Sequence, residues 1–194
     1  ILDIQNIDNA ITQINDCNKN HTICIIKKDS FDKVLLKKEH QLDLSDYIPR
    51  SEFLIALNNE FKNQNVLFIG TTGNIAREMY SFMPDTNNFY MVGNMGGALS
   101  VGLGAAKGGK RVIICGGDAE FVMHMGGLTT AGRYNNQLLD LTYVLFDNES
   151  NKSTGGQKTY QNHIDYIGIT NNSNIISHIS VIDSLSEFSQ VVKT

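Results

Sequence analysis

Cysteine is scarce in this chain, basic residues never gather into a block, and no apolar stretch is longer than a strand. Each shortage removes a class of protein. Cys17, Cys24 and Cys115 are odd in number, widely spaced and free of any CxxC pattern. Cys24 and Cys115 sit inside apolar strand patterns and read as buried, reduced thiols, which points to a cytoplasmic protein. Lys and Arg total 16 against 20 Asp and Glu, for a net charge of −4; without a basic run, nucleic acid is excluded as a partner. The apolar stretches fall far short of the roughly 20 residues that a membrane span needs. No basic head followed by an apolar block opens the chain, so no secretory leader is read. A Walker-type loop, a Ser/His/Asp or Cys/His arrangement and an internal repeat are also missing. His21, His40, His163 and His178 have no partners at ligand spacing. Asn is abundant without forming a low-complexity tract.

What is present describes a globular protein: 41% hydrophobic and 19% charged residues over 194 positions, enough for one domain or one domain plus a fragment. The chain begins at Ile1 and ends at Val191-Val192-Lys193-Thr194 within a helical pattern. The expectation is a piece of something larger.

Strand and helix signals alternate. Ile7, Ala10, Ile11 and Ile14 share a helical face over 7–17, and His21 to Lys27 reads as a buried strand. Residues 28–48 are charged and irregular and read as a linker, and Pro49 then opens a helix carrying Phe53, Leu54, Leu57 and Phe61. Beyond it the pattern is regular. Strands are expected at 66–69, 89–92, 111–115, 141–146 and 177–182. Helices are expected at 74–82, from 97 to about 106, at 121–134, near 164–169 and from about Ser184. Such alternation predicts an α/β fold with parallel βαβ units and helices on both faces. Its turns rich in Gly, Thr and Asn would share one sheet edge, the edge where open α/β sheets bind ligands.

The most informative stretch is 116–157. Gly116-Gly117-Asp118-Ala119-Glu120 follows one strand, and Asp147-Asn148-Glu149-Ser150 follows another, with Asn148 thirty positions after Asp118. One carboxylate and one amide oxygen at neighbouring strand ends suit Mg²⁺ shared with a diphosphate. A helix start after Asp118 adds backbone N–H groups for phosphate, while the Glu120 carboxylate would repel a diphosphate unless it turns away or meets a cation. Gly70-Thr71-Thr72-Gly73 is either a plain helix cap or a second phosphate grip. Arg77 and Glu78 read as a solvated pair. Gly93-Asn94-Met95-Gly96-Gly97 allows close backbone approach to a flat ligand, and Met95 there is poorly placed for burial except under a bound ring. His124, among Met123, Met125 and Gly126, reads either as a core residue or as a substrate group. Gly102-Leu103-Gly104 and Gly108 have the wrong spacing and the wrong place for a dinucleotide fingerprint; they read as packing glycines, and a nicotinamide-dependent dehydrogenase is disfavoured.

The Gly-Asp…Asn spacing resembles that of thiamine-diphosphate enzymes. Thr71-Thr72-Gly73 with Arg77-Glu78, Gly93-Asn94-Met95-Gly96, Gly117-Asp118-Ala119, Met123-His124-Met125-Gly126, and Asp147-Asn148 with Ser153-Thr154-Gly155-Gly156-Gln157 occur in that order. Together they resemble the pyrophosphate-binding half of the phosphonopyruvate decarboxylase family, to which sulfopyruvate decarboxylase beta subunits are closely similar. The likeness runs over about 50–183. Gly97, Glu120 and Lys158 depart from the family's usual residues.

The resemblance implies a three-layer, parallel-sheet thiamine-diphosphate-binding fold over 41–194 without the usual last strand. Residues 1–40 would be the tail of a preceding pyrimidine-binding domain plus a linker. It implies that Asp118 and Asn148 bind Mg²⁺ by side chain and Ser150 by its carbonyl. Thr71, Thr72, Gly73, Gly117, Ala119 and Glu120 would surround the diphosphate. Gly93 would accept a hydrogen bond from the aminopyrimidine, and Asn94 and Met95 would support the cofactor. It further implies a glutamate from a pyrimidine-binding domain, in the full-length chain or a separate subunit, and an assembly of two or more copies. The substrate would be a small anionic 2-oxoacid, phosphonate or sulfonate, with His124 beside it. Apart from the resemblance, the loop 149–159, small and polar with few apolar anchors, reads either as a mobile lid bringing Lys152 and Lys158 to that anion or as a disordered surface connection. A cofactor-fold binding module without catalysis is the reading from a different class.

Overall fold

Residues 1–35 and 36–194 form two units, and the computed structural model describes residues 6–16, 25, 28–35, 37, 42–134, 139–175, 182 and 184–192. In the first unit, α1 (Ile7–Asp16) forms where the apolar spacing predicts it, and the Asn6 side-chain oxygen accepts the Asp8 N–H at 2.8 Å to start it. Its stripe of Ile7, Ile11 and Ile14 is exposed. The predicted strand at 21–27 lies outside the described residues except for Ile25, as do Cys17 and Cys24.

The second unit opens with α2 (Arg50–Phe61), directly after Pro49, whose fixed φ favours a helix start. Four strands, β1 (Val66–Gly70), β2 (Asn87–Tyr90), β3 (Arg111–Gly117) and β4 (Leu141–Phe146), form one parallel sheet in the order β2-β1-β3-β4. The helices between them are α3 (Asn74–Phe82), α4 (Ala98–Lys107), α5 (Asp118–Met123) and α6 (Gly127–Arg133). After β4 come a short antiparallel ribbon, β5 (Ser150–Asn151) with β6 (Gln157–Lys158), then α7 (Tyr166–Asn172) and α8 (Leu185–Val191). The predicted strand at 177–182 lies outside the described residues apart from Ile182.

Alternation along the strands builds two cores, one on each face. Phe68, Ile113 and Cys115 point toward α2, α3 and α8, where Leu54, Leu57, Phe61, Met79 and Phe188 cover them. Ile69, Val112 and Ile114 point the other way, beneath Ala98, Leu99 and Ala106 of α4 and Leu128 of α6. Each large apolar side chain buried this way contributes about 1.5–3 kcal/mol, so α2, with Leu54, Leu57 and Phe61, is held more firmly than α6 or α8, which bury Leu128 and Phe188 alone. Gly102 is needed for close packing, since a Cβ there would lie 2.6 Å from Ile114 Cδ1, whereas Gly104 faces open space. The packing role read for these glycines therefore holds for Gly102 and not for Gly104.

Two element boundaries correct the sequence expectations. The expected helix 121–134 is two short helices, because His124 leaves helical geometry (φ −139°) and Gly126-Gly127 follows it. The expected strand 89–92 sits at 87–90, where β1 offers partners from Leu67 to Gly70; the chain then turns away after one further bond, Met91 N–H to the Gly70 carbonyl at 2.9 Å.

Candidate functional site

All four carboxyl ends of the parallel sheet fall on one edge. The chain winds outward from β1 to β2, then returns to the other side of β1 as β3, so the topological switch lies between β1 and β3. In open α/β sheets that crevice is the ligand site. The segments that emerge beside it are Thr71-Thr72-Gly73 after β1, residues 91–97 after β2, Asp118 after β3, and Asp147-Asn148 after β4.

Asp118 is buried at the first residue of α5. Its carboxyl is pushed up to about 6, by burial first and by the Asp147 charge, against the Ala119 backbone N–H, which lowers it. Its side-chain contact is a long one, with the Thr159 hydroxyl at 3.5 Å. Among the described residues no Lys, Arg or His pairs with it. Asp118, Asp147 and Glu149 also raise the Tyr166 hydroxyl above its ordinary range, after burial as the larger cause. This corner is therefore negative, and among the described residues no cation is paired with Asp118.

β3 and β4 run in register to Gly117 opposite Phe146, which sets Asp118 beside the Asp147-Asn148 turn. The Asn148 side-chain oxygen accepts the Ser150 N–H at 3.0 Å, fixing the amide. Ser150 is buried, and its hydroxyl donates to the Gly156 carbonyl at 3.1 Å. The ribbon folds back so that the Thr159 N–H reaches the Glu149 carbonyl at 2.9 Å and the Thr159 hydroxyl reaches Asp118. At its tip Ser153 lies near Gly73, where an added Cβ would sit 3.9 Å from the serine's own. Two motifs 80 positions apart in sequence thus adjoin in space. Among the described residues no group of three or more His, Cys, Asp or Glu could hold a metal. A cation at Asp118 must draw on amide and carbonyl oxygens, and a hard-oxygen set of that kind suits Mg²⁺.

The 91–97 segment exposes Gly93, Asn94 and Met95, with Met95 40% accessible, and buries Gly96 and Gly97. Gly96 takes φ +85°, and a Cβ there would strike the Cβ of His124 at 2.6 Å, so only glycine fits. Its N–H donates to Glu120 Oε1 at 2.9 Å, and its carbonyl accepts from His124 Nδ1 at 2.9 Å. Glu120 Oε2 accepts the Tyr143 hydroxyl at 2.5 Å. The Glu120 side chain, expected beside the diphosphate, is instead turned inward, where two donors and burial hold it. His124 is neither a core residue nor free: its ring is exposed, with one nitrogen engaged. With α5 six residues long, its dipole adds less at Asp118 than the single long helix expected from the sequence would supply.

Three further points depart from the sequence reading. Glu78 does not pair with Arg77; it takes a two-pronged bond from Arg50 at 2.8 and 2.7 Å across α2 and α3, while Arg77 bonds the Asn74 side chain. Within 149–159, Ser150-Asn151 and Gln157-Lys158 pair as an antiparallel ribbon, where the sequence showed no strand pattern. The Tyr143 and Thr159 hydroxyls are site groups that the sequence did not single out, although Gly155-Gly156 is a hairpin signal that folds Thr159 back.

Comparison with known proteins agrees with this fold. Residues 69–187 match the family described as thiamine pyrophosphate enzyme, C-terminal TPP binding domain. The chain belongs to that family. It is 39% identical over 98 residues to a phosphonopyruvate decarboxylase of Streptomyces viridochromogenes, which covers 50% of this chain and 24% of that protein. It is 40% identical over 103 residues to sulfopyruvate decarboxylase subunit beta of Methanothermobacter thermautotrophicus, which covers 53% of this chain and 55% of that subunit. The aligned region is thus about a quarter of the first relative's length and about half of the second's. In fold it is similar to benzoylformate decarboxylase from Polynucleobacter necessarius (TM-score 0.59, 18% identity, 77% of this chain, 31% of that one). A putative thiamin diphosphate-dependent enzyme from Mycobacterium smegmatis is likewise similar (TM-score 0.62, 16% identity, 76% of this chain, 29% of that one). Among the described residues no helix is long and apolar enough to cross a membrane.

Proposed function

We propose that this chain is the diphosphate- and Mg²⁺-holding half of a cytoplasmic, thiamine-diphosphate-dependent decarboxylase that converts 3-phosphonopyruvate to phosphonoacetaldehyde and CO₂. The observation that carries the reading is Asp118, a buried carboxylate that pairs with no cation among the described residues, set beside the Asp147-Asn148 turn at the switch point of a sheet of this family. When bound, thiamine diphosphate supplies the nucleophilic carbon and the electron sink that 2-oxoacid decarboxylation requires. The protein's part is to bind, orient and exclude water. Asp118 and Asn148 ligate Mg²⁺ by side chain and Ser150 by its carbonyl, offsetting the charge gathered by Asp118, Asp147 and Glu149. Thr71, Thr72, Gly73, Gly117, Ala119 and the backbone of Glu120 flank the diphosphate. The Gly93 carbonyl accepts from the aminopyrimidine, and Asn94 and the accessible Met95 support the ring system. His124 keeps one ring nitrogen for the substrate side. The ribbon carries Lys152 and Lys158 toward an anionic substrate as a lid.

The carboxylate that activates the aminopyrimidine belongs, on this reading, to a pyrimidine-binding domain to which residues 1–40 form the tail, with 41–194 as the diphosphate domain and two or more copies assembling. A sulfonate in place of the phosphonate is the second reading, favoured by the 55% coverage of the sulfopyruvate decarboxylase subunit. The test supplies the 194-residue chain with thiamine diphosphate, Mg²⁺ and each substrate, with and without the pyrimidine-binding domain. The expected result is no CO₂ release from the chain alone, release on adding the domain, and a preference for phosphonopyruvate. Turnover by the chain alone contradicts the half-site assignment, and preference for sulfopyruvate selects the second substrate.

A further inference from the structure

Glu120 is a buried carboxylate that the mechanism above does not use. It joins three elements: its own helix α5, the turn after β2 through the Gly96 N–H at 2.9 Å, and β4 through the Tyr143 hydroxyl at 2.5 Å. Tyr143 can reach it because Gly116 has no side chain; a Cβ at Gly116 would collide with the tyrosine's hydroxyl and ring. Burial, then the Glu120 charge, raises the Tyr143 hydroxyl far above its ordinary range, so it stays protonated and donates. Phe121 packs edge-on against the Tyr143 ring at 5.6 Å. Only about 10 Å³ of free space remains among Gly96, Glu120, His124 and Tyr143, room for one water at most. Glu120 is therefore closed off from any ligand of cofactor size, and it acts through Gly96.

Gly96 is gripped on both sides, its N–H by Glu120 and its carbonyl by His124. Both grips come from the helix that begins with Asp118 and from the residue that ends it. One short helix thus carries the candidate metal ligand at its start and fixes the 93–97 turn from its third residue. We infer that Glu120, anchored by Tyr143, is a positioning residue that holds the Gly93–Gly97 turn in the shape the cofactor meets. This rests on the cofactor reading above.

The test compares the wild-type 194-residue chain with Glu120→Ala, Glu120→Gln and Tyr143→Phe by two measurements. The first is hydrogen exchange at the Gly96 amide without ligand, with the β3 amides of Ile113 and Ile114 as internal reference. Loss of its acceptor should speed Gly96 exchange by about tenfold or more in Glu120→Ala while the reference amides change little, because the opening is local. Glu120→Gln keeps an acceptor for Gly96 and should restore slow exchange to within about threefold of wild type. A purely structural role would instead speed exchange at Gly96 and β3 together. The second measurement is calorimetric titration of thiamine diphosphate with saturating Mg²⁺, expected to weaken about tenfold in Glu120→Ala and to recover in Glu120→Gln. If Glu120→Ala does not fold, Tyr143→Phe, which removes one hydroxyl, carries both measurements with smaller changes in the same direction. Unchanged Gly96 exchange, or unchanged affinity in a variant whose exchange is fast, overturns the inference alone. No binding by the wild-type chain overturns the cofactor reading, and with it the ligand named here.

Discussion

Asp118 and Glu120 stand two residues apart on one short helix, both are buried acids, and their surroundings are opposite. Glu120 has a donor for each oxygen, at 2.9 and 2.5 Å. Asp118 has the Ala119 backbone N–H, one long side-chain contact with Thr159 at 3.5 Å, and a second carboxylate nearby. The contrast separates two uses of a buried charge. A carboxylate with its partners built in fixes geometry, whereas one left short of partners is ready to take a ligand, at a standing cost to the fold.

The largest break in this contrast is Asp118→Ala. Removing the one carboxylate proposed to ligate Mg²⁺ should weaken Mg²⁺-dependent thiamine diphosphate binding by about 100-fold or more. Titration calorimetry with and without Mg²⁺ measures it, and equal affinity in wild type and variant sinks the metal assignment. The second effect is on stability without ligand. Glu120→Ala leaves the Gly96 N–H and the Tyr143 hydroxyl without their acceptor and should lower urea-unfolding stability by about 2–4 kcal/mol. Asp118→Asn removes a buried charge that faces Asp147, and should leave stability unchanged or raise it by about 1–2 kcal/mol. Equal losses in the two variants erase the distinction. Gly116→Ala ranks third. Its methyl must displace the Tyr143 ring, so a loss of about 1–3 kcal/mol is expected, together with a change in tyrosine near-ultraviolet dichroism. Arg50→Ala is the smallest, at about 1 kcal/mol, because its bridge to Glu78 is partly exposed, at 21% and 31% for the two side chains.

Much of the frame was legible because its signals are local. The apolar runs at 66–69, 111–115 and 141–146 lie in strands, and Asp118 lies beside the Asp147-Asn148 turn because each follows one of those strands. The Glu120 bridge was not legible as a bridge. Its partners lie 24 residues back at Gly96 and 23 residues on at Tyr143, and no periodicity encodes such a meeting. The sequence did carry its trace, an acid where a diphosphate would be repelled and a glycine pair just before it. Glu78 was assigned to its sequence neighbour because helical spacing cannot reveal a partner on another helix. The ribbon at 150–158 was missed because two-residue strands fall below any pattern, although the turn glycines at 155 and 156, with φ +141° and +82°, mark where it reverses.

The strand order β2-β1-β3-β4 also bears on how the chain comes into being. Among the described strands of the sheet β1 is the first to be made, yet both its neighbours come later. β2 begins at position 87, and β3, the longer partner, begins at position 111, 45 residues after position 66. At about 5–20 residues per second, translation leaves β1 without β3 for roughly 2–9 seconds. Throughout that wait Val66-Leu67-Phe68-Ile69, which the finished sheet covers from both faces, is a sticky segment on the nascent chain. Synthesis of this protein therefore passes through an interval in which a chaperone has a defined apolar target, and the interval closes when β3 is delivered.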